Sequence, residues 1–294
     1  MANKHEPDDN FSISSRGQGK EILERFLKNK AAVFSLVIII ILTLFALFPA
    51  QIASPDYSSL SLANAFSRPS SEFLLGADEL GRDMFTRIVW GSRTSLAIGI
   101  SSVAIAALIG VAMGLISGYY GGTLDNVIMR VIDVLLAIPP LLLGISIVAA
   151  LGNTIPNLVI AVAIGLLPVF ARVARSAAIV VREQEYIEAA RATGANDFRI
   201  MFKYILPNSM APIIVQVSMG IATAILTVSG LSFIGLGVPP PTPEWGAMLA
   251  TGRAFIRDHA HVITYPGLAI MLAVFAFNLF GDGLRDALDP RLKQ

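Results

Sequence analysis

The sequence YIEAARATGANDFRIMFKYILPN, residues 186–208, is the longest polar stretch after residue 100 in a chain that is otherwise mostly apolar. Residues 186–193 are rich in Ala and Glu, which favour a helix. Gly194 follows at the place where a helix would end, since glycine readily adopts the left-handed conformation of a helix C-terminus. Asn196 or Asp197 can cap a second helix. The stretch therefore predicts two short helices joined by a turn.

The second of these helices carries an apolar stripe. Phe198, Met201, Phe202 and Ile205 recur at three- and four-residue spacing, and Pro207 would end the helix. Two amphipathic helices that protrude on one side of a membrane protein have the shape of a ligand for a groove on another protein. The alternative is an ordinary amphipathic hairpin that lies on the membrane.

Composition places the chain in a membrane. Its 294 residues are 54% hydrophobic and 15% charged, whereas soluble domains carry about 25% charged residues. A net charge of +1 gives no electrostatic footprint for nucleic acid. The absence of cysteine excludes disulfides and thiolate chemistry.

Six apolar runs approach the roughly 20 residues needed to cross a bilayer as a helix. They predict six transmembrane helices, at residues 31–50, 95–116, 127–151, 155–181, 210–235 and 262–280. The first run lacks a convincing cleavage site, which favours a retained span over a removed signal peptide. Prolines 139 and 140 fall inside the third run, and Pro168 falls inside the fourth.

Orientation follows from the placement of basic residues, which are concentrated on the cytoplasmic side of membrane proteins. With the N-terminus inside, sixteen of the 22 Lys and Arg residues lie inside. The six on the outer side are Arg68, Arg82, Arg87, Arg93, Arg253 and Arg257. Both termini and the 186–208 loop are therefore predicted to be cytoplasmic.

The fourth run continues past its apolar part through Arg172, Arg175 and Arg182. We therefore predict a continuous helix from the membrane into the 186–208 loop, so that movement of the loop would tilt the span.

The 186–208 loop resembles a signature of bacterial ABC importer permeases, which reads E-A-A, three residues, G, nine residues, I, one residue, L-P. Glu188-Ala189-Ala190, Gly194 and Leu206-Pro207 match it in register, and Tyr204 stands where the signature has Ile. In that family the loop docks into a cleft on the cytoplasmic ATPase subunit. The resemblance implies an ATPase-coupling role for Glu188, Ala189, Ala190, Gly194, Phe198, Phe202, Leu206 and Pro207.

Three further stretches, 74–96, 118–143 and 240–294, are similar to the second, C-type permease subunit of dipeptide and oligopeptide importers. Nickel and glutathione importers have close relatives of the same subunit. The resemblance implies an all-α membrane protein with the type I ABC importer permease fold in a bacterial inner membrane. It implies peptide import, with nickel or glutathione as alternatives.

The resemblance also implies the partners. These are a homologous B-type permease subunit, two cytoplasmic ATPase subunits, an extracytoplasmic solute-binding protein and the lipid membrane. The chain has no G-x-x-x-x-G-K-[ST] phosphate loop. It is therefore expected not to be an enzyme and to hold no cofactor, with ATP and Mg²⁺ bound by the partner ATPases.

The resulting organisation has five parts. Residues 1–30 form a cytoplasmic tail, 31–50 the first span, 51–94 an extracytoplasmic segment, 95–284 the permease core with the 186–208 loop and an outer lobe at 237–261, and 285–294 a cytoplasmic tail.

The extracytoplasmic segment has helical character at residues 78–90, where Leu80, Met84 and Ile88 share one stripe. We predict a helix that lies in the membrane interface with Trp90 as an anchor. It either supports the solute-binding protein or only leads into the second span. The candidate contacts for the binding protein are Asp78, Arg82, Asp83, Arg87 and Trp245.

Two small groups of polar residues remain. Arg130 and Asp133 are three apart near the inner end of the third run and are predicted to pair, with a gate or subunit contact as the alternative. His259 and His261 form an H-x-H pair, which falls short of the three or four ligands of a metal site. No metal site is predicted.

Two other classes of protein fit the sequence less well than a permease. An ion-driven secondary transporter would need paired charges at mid-membrane and inverted halves, but the spans carry almost no acids. An intramembrane enzyme would need a catalytic pair at membrane depth, but His5, His259 and His261 all lie outside the spans.

Overall fold

The computed structural model describes residues 18–288. The helices are α1 Gln18–Lys28, α2 Lys30–Leu47, α3 Pro49–Ile52, α4 Met84–Tyr120, α5 Gly122–Leu136, α6 Pro140–Leu151, α7 Ile155–Arg182, α8 Glu185–Ala192, α9 Asp197–Arg199, α10 Leu206–Asn208, α11 Met210–Phe233, α12 Trp245–Gly252 and α13 His261–Leu288. A π-helix, Ile200–Ile205, joins α9 to α10. Within the described residues the only extended pairing is an isolated bridge between Ala77 and Asp83, so the predicted all-α class is confirmed. The outer parts of both predicted tails, 1–17 and 289–294, lie outside the described residues.

Five helices, α2, α4, α7, α11 and α13, are long and apolar enough to cross a membrane. Helices α5 and α6 pass the same test as a pair but are bent by 84°. The third predicted span, 127–151, therefore corresponds to a bent pair of helices, with the bend at its two prolines. Pro139 and Pro140 explain the bend, because proline cannot continue a regular helix and the residue before it avoids the helical conformation.

Helix α4 is 37 residues long and begins well before the predicted second span. Its first turn is capped by Asp83, whose Oδ2 accepts a hydrogen bond from the Thr86 amide at 2.9 Å. The predicted helix at 78–90 is therefore confirmed from Met84 onward, where it leads into the second span, and its predicted start at Asp78 is wrong. Residues from Met84 onward continue without a break into the apolar run, since nothing in between ends a helix.

Helices α4 and α7 form the most extensive helix contact in the structure. Gly110, Gly114 and Gly118 recur every fourth residue along α4 and face the backbone of α7. A Cβ at Gly114 would lie 2.3 Å from the carbonyl oxygen of Ala171. The two backbones are therefore in direct contact, as small residues at four-residue spacing allow in membranes.

The inner part of the predicted N-terminal tail is structured. Helix α1 buries Phe26 against α13, where the rings of Phe26 and Phe280 are 5.3 Å apart. A Cβ at Gly283 would lie 2.4 Å from the Cβ of Ala32, so α2 and α13 also approach closely there. The packing of α1 against α13 was not predicted from the sequence, because α1 is short and mostly polar.

Candidate functional site

The 186–208 loop follows directly on α7, which ends at Arg182. Glu183 and Gln184 separate it from α8, so the predicted continuous helix is wrong. The end of α7 is joined to the end of α4, because the Arg182 Nη1 donates to the carbonyl oxygens of Gly118 at 3.0 Å and Tyr119 at 3.1 Å. A cation at these last carbonyls of α4 also complements the helix dipole.

The turn after α8 depends on Gly194. The Ala195 amide donates to the Ala190 carbonyl at 3.1 Å, and the Gly194 amide donates to the Arg191 carbonyl at 3.0 Å. These two bonds are the Schellman pattern, which needs a residue in the left-handed region. Gly194 supplies it with φ +83°, and no atom lies within 4 Å of an added Cβ. The requirement for glycine therefore comes from the backbone alone.

The second half of the loop begins at Asn196, whose Oδ1 accepts from the Arg199 amide at 2.8 Å. Pro207 was predicted to end the helix, but it lies in α10, directly after the π-helix. In a regular α-helix the ring of Pro207 would collide with the carbonyl of Lys203. The wider π turns relieve this conflict, and the chain turns only at Ser209.

The root of the loop is buried against the ends of α4 and α7. The residues of this cluster are Leu115, Tyr119, Ala178, Val181, Ile187, Ile200, Met201 and Ile205. The Tyr119 hydroxyl donates to Asp197 Oδ1 at 2.7 Å, and the Arg191 guanidinium lies 5.5 Å from the Tyr119 ring centroid. Apolar packing and polar contacts together fix the loop to the bundle.

The opposite side of the loop is exposed. The side chains of Phe198 and Phe202 are 67% and 49% exposed, and their ring centroids are 4.4 Å apart. Glu188, Ala189 and Gly194 are exposed on the same loop. We call these five residues the exposed face.

The predicted apolar stripe is thus divided, with Met201 and Ile205 inside and the two phenylalanines outside. Of the other predicted coupling residues, Ala190 is buried, Leu206 is half-buried and Pro207 is exposed.

At the other end of α4, Asp78 lies at the centre of a buried group of charges. Its Oδ2 accepts from Arg82 Nε at 2.6 Å and lies 3.4 Å from Arg87 Nε. Its Oδ1 accepts from the amides of Leu80 and Arg82. Asp78, Arg82 and Arg87 are all buried, so the structure gives them partners within the chain. Of the predicted binding-protein contacts, only Asp83 is partly exposed.

Trp245, the fifth of those predicted contacts, is fully buried. Its indole Nε1 donates to the Ile88 carbonyl at 3.0 Å, and this bond ties α12 to α4. Its neighbour Glu244 is also fully buried and caps α12 by accepting from the amides of Gly246 at 2.9 Å and Ala247 at 2.8 Å. The sequence analysis missed this cap, although an acid directly before a helix is a recognisable signal.

Asp133 pairs with Arg172 of α7, whereas the sequence predicted a pair with Arg130. The Arg172 Nη2 lies 2.7 Å from Asp133 Oδ1. A second pair joins the same two helices, where Arg175 contacts both carboxylate oxygens of Asp125 at 2.6 and 2.5 Å.

His259 and His261 make contacts within the chain. The His259 ring stacks on Phe66 at 4.1 Å, and His261 Nε2 lies 3.1 Å from the Ala77 carbonyl oxygen. Within residues 18–288, no three His, Cys, Asp or Glu side chains come together as metal ligands would.

Residues 110–294 match the family model of the binding-protein-dependent transport system inner membrane component. This chain is an ABC importer permease. The matched region contains the last three turns of α4, all of α7 and the 186–208 loop. Residues 17–69 of the permease match a second model, the N-terminal TM domain of oligopeptide transport permease C.

Curated relatives place the permease in the C-type subgroup, as predicted. It is 46% identical over 291 residues to the dipeptide transport system permease protein DppC of Alkalihalophilus pseudofirmus, covering 99% of this chain and 95% of that one. It is 47% identical over 287 residues to the glutathione transport system permease protein GsiD of Pectobacterium atrosepticum, covering 95% and 93%. It is 45% identical over 280 residues to the di/tripeptide transport system permease protein DppC of Pseudomonas aeruginosa, covering 93% and 92%.

A solved structure confirms the predicted fold. A chain of the MetNI methionine ABC transporter, in an inward-facing conformation, superposes on the permease with a TM-score of 0.59. The match covers 70% of this chain and 98% of that chain at 19% identity. The permease therefore has the type I ABC importer fold.

Proposed function

We propose that this permease imports dipeptides and longer peptides across a bacterial inner membrane, and that the 186–208 loop couples it to cytoplasmic ATPase subunits. The observation that supports coupling is the contrast within the loop. Its root is buried against α4 and α7, while Phe198 and Phe202 form an exposed aromatic pair. Exposed aromatic rings on a fixed scaffold are typical of protein contacts.

In this proposal the loop and both termini lie in the cytoplasm. The complex contains a homologous B-type permease, two ATPase subunits that bind ATP and Mg²⁺, and an extracytoplasmic solute-binding protein. ATP binding closes the ATPase pair and moves the exposed face of the loop. This movement requires that ATP bind one state of the complex better than the other, since equal affinities would shift nothing.

The contacts of the loop support transmission of its movement to the membrane helices. Arg182 joins the end of α7 to the end of α4, and the glycines of α4 hold the two backbones together. A movement of the loop is therefore passed to both helices, which switches the bundle between inward-open and outward-open states.

The peptide assignment rests on the relatives from A. pseudofirmus and P. aeruginosa, whose names specify dipeptides and di/tripeptides. Glutathione is a second candidate, because the P. atrosepticum relative is a glutathione permease of similar identity.

The test is reconstitution of the permease with its partner subunits in proteoliposomes. ATP hydrolysis is measured with the binding protein loaded with dipeptides, longer peptides, glutathione or chelated nickel. We expect peptides to stimulate hydrolysis most. Stimulation by glutathione or nickel alone would reassign the cargo, and no stimulation in an intact complex would contradict the peptide assignment.

A matched pair of variants tests coupling in the same assay. Phe198→Ala removes an exposed ring, and Phe34→Ala removes an exposed ring of α2 far along the chain from the loop. We expect only Phe198→Ala to reduce stimulated hydrolysis. Equal stimulation in both variants would contradict the coupling role.

A further inference from the structure

Two ion pairs join α5 to α7, and they differ in exposure. In the Arg175–Asp125 pair the side chains are 32% and 15% exposed, and the Ser117 hydroxyl also donates to the carboxylate. In the Arg172–Asp133 pair the side chains are 55% and 49% exposed. The first pair is a partly buried link between helices, whereas the second is open to whatever surrounds the chain.

Exposed apolar residues lie beside the pair, together with Arg130 one turn before Asp133. Val131 and Val134 flank Asp133 on α5 and are both exposed, and Val169 is exposed one turn before Arg172 on α7. On a surface that faced lipid, charges at this place would be costly. Charged side chains within membrane spans instead face the bundle interior or water.

The pair is also distant from the helix ends on the loop side. Asp133 lies eleven residues after Gly122, the start of α5, which corresponds to about 16 Å of helix. Arg172 lies ten residues before the end of α7 at Arg182, or about 15 Å. Both residues therefore lie inside the predicted spans 127–151 and 155–181, several turns from the loop-side ends of their helices.

A second observation on the same helix leads to the same conclusion. The chain leaves the helical conformation between Leu136 and Pro140, where α5 and α6 meet at 84°. Ala137, Ile138 and Pro139 are all exposed there. Non-helical backbone at membrane depth is tolerated only where protein buries it or where it lines a water-filled cavity.

We propose that the surface formed by Asp133, Val134, Ile138, Val169 and Arg172 borders the water-filled pathway, and that the ion pair binds the charged ends of a passing peptide. The cargo class in this inference rests on the proposed function. Asp133 accepts hydrogen bonds from the peptide ammonium group, and the Arg172 guanidinium donates to the peptide carboxylate. Without cargo the two side chains pair at 2.7 Å, so neither charge is left without a partner.

The first test measures access of water to this surface. Because the chain has no cysteine, Val134→Cys and Leu108→Cys each create a single thiol. Leu108 is an exposed apolar residue about 18 Å from the end of α4 and serves as the control. A cationic, membrane-impermeant thiol reagent is applied to the assembled complex.

We expect the thiol at position 134 to react at least about fiftyfold faster than the control, because a charged reagent enters hydrocarbon poorly. Reaction at 134 as slow as at 108 would overturn the proposal. This readout needs no knowledge of the cargo.

The second test measures peptide uptake. Asp133→Asn and Arg172→Gln are each expected to reduce uptake at least about tenfold, the loss that follows removal of a charged hydrogen bond to the cargo. Uptake at the wild-type level by either variant would overturn the role of the pair.

The exchanged variant, Asp133→Arg with Arg172→Asp, separates cargo binding from helix packing. A pair that only ties α5 to α7 would work in either order, so full recovery of uptake would overturn cargo binding. We expect uptake to stay low while the complex assembles normally. If the peptide assignment itself fails, the wild-type chain takes up no peptide, yet the labelling result at position 134 is unaffected.

Discussion

The residues that the sequence singled out for partners lie near the two ends of α4, and they differ in exposure between those ends. At the loop end, Phe198 and Phe202 are exposed on a buried root. At the other end, Asp78, Arg82 and Trp245 are buried and paired within the chain. Charged and aromatic residues beside a membrane span are therefore equally consistent with a docking surface and with an internal support. Exposure distinguishes the two roles.

This comparison predicts that substitutions at the Asp78 end of α4 reduce stability, whereas substitutions on the exposed face of the loop reduce coupling.

The largest expected effect is that of Asp78→Ala. It leaves the guanidinium groups of Arg82 and Arg87 buried without their shared carboxylate, which costs about 3–5 kcal/mol. We expect the purified permease to lose most of its folded fraction in a thermal melt in detergent. Arg93→Gln, at an exposed position of α4, is the control and should melt as wild type. An Asp78→Ala chain with a normal melting temperature would contradict the internal role of this carboxylate.

A large but smaller effect is expected in the root of the loop. Ile200 is fully buried, and Ile200→Ala should reduce the free energy of unfolding by about 2–5 kcal/mol. Phe198→Ala, only two residues away, should change stability by less than about 0.5 kcal/mol while reducing ATPase binding. The two quantities are measured by thermal melting and by co-purification of the ATPase subunits. Equal stability losses in both variants would show that the loop is not divided into a root and an exposed face.

Substitution of Gly194 is expected to have an intermediate effect, and Gly194→Asn is the control. A side chain in the left-handed region costs about 1–2 kcal/mol, and Val should be worse because it is β-branched. We expect Gly194→Val to insert into the membrane but to lose transport. Gly194→Asn should retain most transport, since Asn tolerates this conformation best among residues with side chains.

Glu188→Lys, which reverses a charge on the exposed face, is expected to resemble Gly194→Val in a transport assay. Wild-type uptake by the valine or the lysine variant at normal expression would contradict the coupling role.

The smallest expected change in stability is that of Arg182→Gln. It removes the cation at the last carbonyls of α4, which is worth about 0.3–1 kcal/mol. If this contact transmits movement, stimulated ATP hydrolysis should continue while uptake per ATP falls. Unchanged uptake per ATP would show that α4 and α7 stay coupled through their glycines alone.

Much of the fold was predictable because apolar runs determine where a chain crosses a membrane. The apolar runs do not show where each helix begins or ends. Helix α4 begins at Met84 because helix geometry tolerates the polar residues of its first turns, although hydropathy does not mark them. The bend before Pro140 was visible as two prolines, but its angle depends on packing against neighbouring helices.

In the candidate site, the turn at Gly194 was predictable from the sequence. Which side chains of the loop are buried and which are exposed was less predictable. Gly194 was identified correctly as the turn residue because its requirement is local. The division of the apolar stripe was not, since it depends on the π-helix that precedes Pro207. The burial of Trp245 was likewise invisible, because the carbonyl that accepts its indole hydrogen bond lies 157 positions away in the chain.

The length of α4 has a mechanical consequence. Its 37 residues extend about 55 Å in one helix. Ser95 and Ile88 near one end contact Glu244 and Trp245, and Tyr119 at the other end contacts the 186–208 loop. A helix whose backbone is in direct contact with a second one resists bending more than a single helix does. A displacement at the loop is therefore expected to reach the opposite end of α4 with little loss of amplitude, so that the two ends of the bundle move together.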